Sequence, residues 1–172
     1  AKQLWDICMD KGEQFNITPY GTEAMHVLRA EKGFIIVGQE TDGSITPIDL
    51  DMDWIVSKKK YDFIGKRALY RSDTSREDRK QLVGILTKDP NIVLEEGAQL
   101  VEKVSKPPMK MIGHITSSYH SPNLGRSIAL ALVKEGLKKK GKTIYAPMPN
   151  KTIEVEICNP VFIDPSNERL SA

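Results

Sequence analysis

Between Gln81 and Cys158 the chain is cut into short runs of strand character, and this limits its fold more than any other feature. The runs are Gln81–Leu86, Gln99–Val104, Met111–Ser117, Ser127–Val133, Thr143–Ala146 and Thr152–Cys158. Gly97, Pro107-Pro108, Pro122-Asn123, Gly136, Gly141 and Pro149-Asn150 fall between them. Apolar runs of this length, broken by turn-forming residues, build antiparallel sandwiches and barrels. A small antiparallel β barrel is expected over residues 79–172.

The first part of the chain reads differently. Leu4, Ile7 and Cys8 recur at helical spacing until Gly12 supplies a stop. Because this pattern is already under way at Ala1, the chain reads as a piece of a longer polypeptide. Phe15–Gly21 reads as an extended stretch and a turn. Thr22 then stands as N-cap of a helix over Glu23–Ala30, with Met25, Val27 and Leu28 toward a core. Phe34–Gly38 has strand character and Thr41–Ser44 marks a turn. A further strand is expected around Trp54, and a short helix over Ile64–Leu69. Ser72–Lys80 is almost wholly polar and reads as a linker. The fold class expected is therefore α+β, a partial α+β region over residues 1–78 followed by the barrel.

Bulk properties exclude several classes. A net charge of +2 over 172 residues argues against a dedicated nucleic-acid binder. No apolar run approaches the roughly 18–20 residues of a membrane helix, and Ala1–Asp6 lacks the basic start and apolar centre of a secretory leader. Cys8 and Cys158 lie far apart without CxxC spacing, so both are read as reduced thiols of a cytoplasmic protein. His26, His114 and His120 are scattered, and no metal site is expected.

Little catalytic chemistry is visible. The chain has no GxGxxG or Walker loop and no GxSxG elbow. Arg29, at the end of the second helical pattern, admits two readings. A cation there complements the helix dipole, with Glu31 as its partner; alternatively its guanidinium fork clamps a carboxylate. Trp54 reads either as a core anchor or as the wall of a site for a planar ring. The segment Gly113–Pro122 gathers hydroxyls, His114, Tyr119 and His120, and a strand ending in a polar turn explains it as well as catalysis does. Lys58–Lys60 and Lys138–Lys140 read as solvated turns.

Several segments, in order, resemble the folate-binding family that includes the glycine-cleavage T-protein, dimethylglycine dehydrogenase and the sarcosine oxidase α subunit. They are Gly21–Gly33 with its Leu28-Arg29-Ala30-Glu31-Lys32-Gly33, Thr46-Pro47 followed by Trp54, Phe63–Leu69, Leu82-Val83-Gly84, Ile112–Ser118 with Ser121-Pro122 and Leu124-Gly125, Ile128–Ala131, and Asn159–Phe162. Within the family, Glu31–Gly43, Lys80–Gly84, Glu95–Gln99 and Gly125–Val133 are most similar to the sarcosine oxidase branch. Ser118, where T-proteins tend to carry Gly, points the same way.

The resemblance implies a function in parts. The whole oxidase demethylates sarcosine at a flavin, and tetrahydrofolate takes the released one-carbon unit. FAD, FMN and NAD sites are implied for other parts of the complex, as are the family's principal catalytic carboxylate and its pterin-binding acid. No catalytic residue is assigned on this chain. Arg29 and Trp54 are the folate-binding candidates, Arg29 for a polar or anionic part of the folate or for holding the pocket, Trp54 as a wall. The implied partners are the remainder of the α subunit, the other oxidase subunits and folate. Two other readings stay open: a fragment of an aminomethyltransferase, and a non-catalytic folate-fold module binding RNA or protein.

Overall fold

The computed structural model describes residues 1–171. Two helices come first, α1 (Lys2–Gly12) and α2 (Thr22–Glu31). Six strands follow: β1 (Lys80–Thr87), β2 (Gln99–Val101), β3 (Met111–Ser121), β4 (Arg126–Lys134), β5 (Thr143–Met148) and β6 (Lys151–Cys158). They close into a barrel in the order β1-β4-β3-β2-β5-β6, every neighbouring pair antiparallel. Each of the six strands expected beyond Lys80 is present, the second shortened from Gln99–Val104 to Gln99–Val101. Closure removes the free edges that an open sheet of such short strands would present.

Alternation fills the barrel. Val83 and Ile85, Ala129, Ala131 and Val133, Ile144 and Ala146, and Ile153, Val155 and Ile157 project inward and form one core cluster. On β1 and β4 the opposite face is buried too. Leu82, Leu130 and Leu132 form a second cluster with Leu50, against which Ile35, Ile45, Met52 and Phe162 pack. This explains why Ser127–Val133 is a continuous apolar run: the strand is covered on both sides.

The covering segment departs from the sequence-based expectations in several places. Thr22 is the first residue of α2 rather than its cap; Gly21 takes the N-cap position without a side-chain bond. Met25 and Leu28 are exposed, and α2 buries Arg29, Ala30 and Glu31 instead. The helix meets β3 at a row of hydroxyls, so its polar C-terminal end, not an apolar stripe, is what the barrel accepts. Phe34–Gly38 is a loop with one isolated bridge, Val37 to Thr41, because Glu40 draws the chain back on itself through its bond from the Ile36 N–H (2.8 Å). The segment around Trp54 is a single 3-10 turn, Asp53–Ile55, not a strand. Ile64–Leu69 contains the expected short helix as a 3-10 turn over Lys66–Tyr70.

A buried ion pair ties this segment to the barrel's first strand. Asp49 accepts from Arg79 Nε (2.8 Å) and Nη2 (2.7 Å), and from the N–H and hydroxyl of Thr46, both at 2.8 Å. Arg79 also donates to the Ser44 carbonyl, and the Leu82 N–H to the Asp49 carbonyl (2.8 Å). Hydrogen bonding to Asp49 holds the Arg79 guanidinium above its usual pKa despite burial.

Candidate functional site

Helix α2 ends on β3, and the contact is almost entirely polar. Glu40, fully buried, receives Arg29 Nη1 (3.0 Å) on one carboxylate oxygen and the Ser117 hydroxyl (2.6 Å) on the other. Arg29 Nη2 donates to Ser117 Oγ (2.6 Å), Gln39 Oε1 (3.1 Å) and Tyr119 Oη (3.4 Å), and Nη1 also reaches the Phe34 carbonyl (3.2 Å). The guanidinium lies 5.7 Å from the Tyr119 ring centroid, and His26 stacks on the same ring. Arg29 is thus engaged by the protein itself. Its partner is Glu40 and not Glu31, which corrects the pairing expected from sequence. Glu31 faces the far end of β3, accepting from Ser121 Oγ (2.5 Å) and from Asn123 Nδ2 (2.9 and 3.2 Å).

The hydroxyls of Ser117 and Ser121 are therefore docking points, whereas those of Thr116 and Ser118 serve the barrel. Thr116 and Ser118 donate to the Leu130 and Ile128 carbonyls of β4, and Ser118 Oγ accepts from the Leu94 N–H. The register of β3 on β4 shifts between Ile115 and Ser117, where the strand carries one extra residue. Of the two histidines in this segment, His120 is exposed, and His114 sits 3.4 Å from Lys80 Nζ. Burial pushes the His114 pKa down, and Lys80 adds to it.

Trp54 is elsewhere. It is 75% exposed, which overturns its reading as a core anchor. Trp54 lines a mostly apolar cleft of about 360 Å³ whose other walls include Phe34, Leu50, Met52, Pro160 and Val161, with Lys32 and Asp51 as its charged members. Arg29 does not line it. The floor is the segment after β6, which folds back over α2: the N–H groups of Phe162 and Ile163 donate to the Glu31 carbonyl (2.8 and 3.0 Å), and Lys32 Nζ to Asp164 and Asn167. Gly33, at φ +69°, sits against the Pro160 carbonyl where a Cβ would meet it at 2.7 Å. Sequence reasoning missed Glu40 and Asn123, and it singled out the hydroxyls of Gly113–Pro122 without their role as partners of α2. The available signal was Glu40, an acid just past the apolar run Phe34–Val37 with no basic residue within five positions of it.

The remaining titratable groups do little chemistry. Burial, with Glu156 nearby, pushes the Cys158 thiol up to about 12, so it stays protonated at neutral pH. Among the described residues no cluster of three or more His, Cys, Asp or Glu is placed to hold a metal ion, and no helix is long and apolar enough to cross a membrane.

Comparison with known proteins adds sequence and fold relationships. Residues 80–164 match the family model of the glycine cleavage T-protein C-terminal barrel domain, and residues 1–60 that of the GCVT N-terminal domain. The chain is 49% identical to the sarcosine oxidase subunit alpha of Corynebacterium sp. (strain U-96), over 97% of its own length and 18% of that protein's. Against the same subunit of Rhizobium meliloti (strain 1021) identity is 38%, over 99% of this chain and 17% of the relative. An aminomethyltransferase of Clostridium botulinum (strain Okra / Type B1) is 37% identical over 90% of this chain and 40% of its own length. The crystal structure of aminomethyltransferase T from Bartonella henselae superposes with a TM-score of 0.77 at 23% identity, covering 95% of this chain and 44% of that one. The chain thus spans less than a fifth of the oxidase subunits it matches.

Proposed function

This chain belongs to the glycine-cleavage T-protein family, and from that premise we propose that it completes the folate-binding module of a sarcosine oxidase α subunit. The observation that carries the proposal is the 49% identity to oxidase α subunits over nearly the whole chain, against 37% to an aminomethyltransferase over 90% of it. We take residues 1–78 as the end of the folate-binding α+β region and residues 79–172 as the barrel that braces it.

The Trp54 cleft suits a flat ring. Most of its walls are aromatic or aliphatic, with Lys32, Asp51 and Asn159 as polar members of the lining. When bound, tetrahydrofolate supplies the nitrogen nucleophile that captures the one-carbon unit. Trp54 would give the folate one wall, and the segment Asn159–Val161 a second. Arg29 would hold the pocket: with Glu40 and Ser117 it fixes the end of α2, from which Lys32, Gly33 and Phe34 project into the cleft. Exclusion of water on the other sides is left to the remainder of the α subunit. Oxidation of sarcosine is proposed to occur at flavin, with FAD, FMN and NAD held elsewhere in a heterotetramer, and the isolated chain is expected to turn over no sarcosine.

Trp54→Ala in the complete enzyme tests this. Flavin reduction by sarcosine, followed by stopped flow, should be unchanged while the yield of methylene-folate falls tenfold or more. An unchanged yield in the folded complex removes Trp54 from the folate site. If no flavin-containing assembly forms around the full-length protein, the aminomethyltransferase reading takes precedence.

A further inference from the structure

Lys32 serves two neighbours. It is the one cation in the lining of the Trp54 cleft, and it ties the end of α2 to the segment that returns after β6. An ammonium has three N–H donors and no acceptor. All of them are taken by the returning segment: Lys32 Nζ donates to the Asp164 carbonyl (2.7 Å), to Asp164 Oδ2 (3.2 Å) and to Asn167 Oδ1 (2.9 Å). The pair is no loose surface contact, since the two side chains are 18% and 9% exposed within this chain alone. A ligand in the cleft can therefore bond to Lys32 only by displacing one of these acceptors.

The returning segment has a fixed root and a releasable end. At the root, the Phe162 and Ile163 N–H groups donate to the Glu31 carbonyl, and the Glu31 carboxylate is itself held by Ser121 and Asn123. Beyond Ile163 the chain turns through Asp164 (φ +49°) and Asn167 (φ +61°), both in the left-handed region that strains an L residue. The Asp164 carboxylate also accepts from the N–H groups of Glu168 (2.9 Å) and Arg169 (3.3 Å), so it organises the turn that follows. Among the described residues, every hydrogen bond between residues 164–171 and the rest of the chain runs through Lys32. Pro165, inside this turn, lines the cleft. Letting go of Lys32 thus frees a piece of the cleft wall.

We propose that Lys32 is a specificity-determining residue of the cleft: it selects an anionic group on the ligand and, in taking it, unlatches the turn over residues 164–171. The inference rests on the folate reading of the cleft, and the group selected is a carboxylate of the folate's glutamate tail. Such a carboxylate offers the ammonium the same charge-assisted bond that Asp164 does. The exchange also lets Asp164 and Asn167 leave the left-handed region. A ligand moves an equilibrium only by its differential affinity for the two states, and a neutral ring without the tail has no bond to offer Lys32, so it leaves the latch shut. Trp54 then answers to the ring and Lys32 to the tail.

The test is amide hydrogen exchange of the full-length protein at residues 168–171, with binding measured alongside by calorimetry. The probes are tetrahydrofolate and methyltetrahydropterin, which carries the ring without the tail. Tetrahydrofolate should speed exchange at the turn by about tenfold or more, and the pterin should leave it as it was, with β1 and β4 amides the same throughout. In Lys32→Met the turn should exchange fast without any ligand, and the affinity advantage of tetrahydrofolate over the pterin should shrink by about tenfold or more. The comparison of the two probes on the parent protein does not depend on the folding of the variant. Tetrahydrofolate that binds without changing exchange at the turn overturns the latch, and so does a folded Lys32→Met that keeps either the protection or the preference for the tail. Binding of neither compound overturns the folate reading of the cleft, and the inference falls with it.

Discussion

Removing Arg29 should release helix α2 from the barrel, and the size of the effect follows from what Glu40 would be left with. Its carboxylate is fully buried and accepts from Arg29, the Ile36 N–H and the Ser117 hydroxyl. Arg29→Ala deletes the one positive charge in contact with it. Stranding one partner of a buried ion pair costs about 3–5 kcal/mol, a large part of the roughly 5–15 kcal/mol that holds a domain folded. The penalty should fall locally, because the barrel core does not include Arg29 or Glu40. Amide hydrogen exchange is the direct readout. Protection at Val27–Lys32 should drop by roughly two to three and a half orders of magnitude, at about 1.4 kcal/mol per decade, while β1 and β4 amides exchange as before. The double variant Arg29→Ala, Glu40→Ala removes both charges and should cost less than the sum of the two single changes by about 2 kcal/mol. If protection in α2 were unchanged in Arg29→Ala, or the two substitutions were additive, the ion pair would not be what docks the helix.

Two further outcomes are expected. His114 has its pKa lowered in the fold by burial and by Lys80, so the folded state resists taking up the proton that the unfolded chain accepts. Its contribution is therefore present above the unfolded value near 6.5 and lost as pH falls through the lower folded value. The melting temperature of the native protein should fall more steeply between pH 7.5 and 5 than that of His114→Asn, and parallel curves would remove the histidine from the acid response. Gly84→Ala should destabilise the barrel, since a Cβ there falls on the Asn159 carbonyl oxygen and 2.9 Å from Cys158 Sγ. A forced shift of this kind costs about 1–3 kcal/mol, or roughly 2–12 °C in melting temperature for a chain of this size; a midpoint within about 1 °C of the parent would show that the strands can part without cost.

The barrel could be read from the sequence because each strand carries its own evidence: alternation or a continuous apolar run, with Gly or Pro at either end. Thr152–Cys158 and Ser127–Val133 needed no knowledge of their neighbours. The covering segment could not be read this way, because its conformation is set by partners far along the chain. Phe34–Gly38 has strand composition, yet Glu40 and Arg29 bend it into a loop. Met25 and Leu28 have core composition, yet α2 turns its charged end inward to meet serines that lie some 90 residues away. Arg29 stood out as a residue, but its partner did not, since Glu31 is nearer in sequence and Glu40 nearer in space. Trp54 is singled out by type and by the family resemblance, and its exposure is invisible in the sequence because the Asp53–Ile55 turn, not a strand, sets where it lies.

The fold-back of the segment after β6 has a consequence for how the protein is made. Lys32 meets Asp164 across 132 residues, and the Glu31 carbonyl waits for Phe162 and Ile163. A ribosome adding about 5–20 residues per second takes roughly 7–26 s to cover that distance. Throughout that interval the end of α2 lacks the barrel and the returning segment that bury it, and Ala30 and Glu31 face solvent. The nascent chain is thus a long-lived client for any holdase at the exit tunnel. A pause or premature stop between β6 and Asp164 would leave a closed barrel with α2 loosely held against it rather than an unfolded chain.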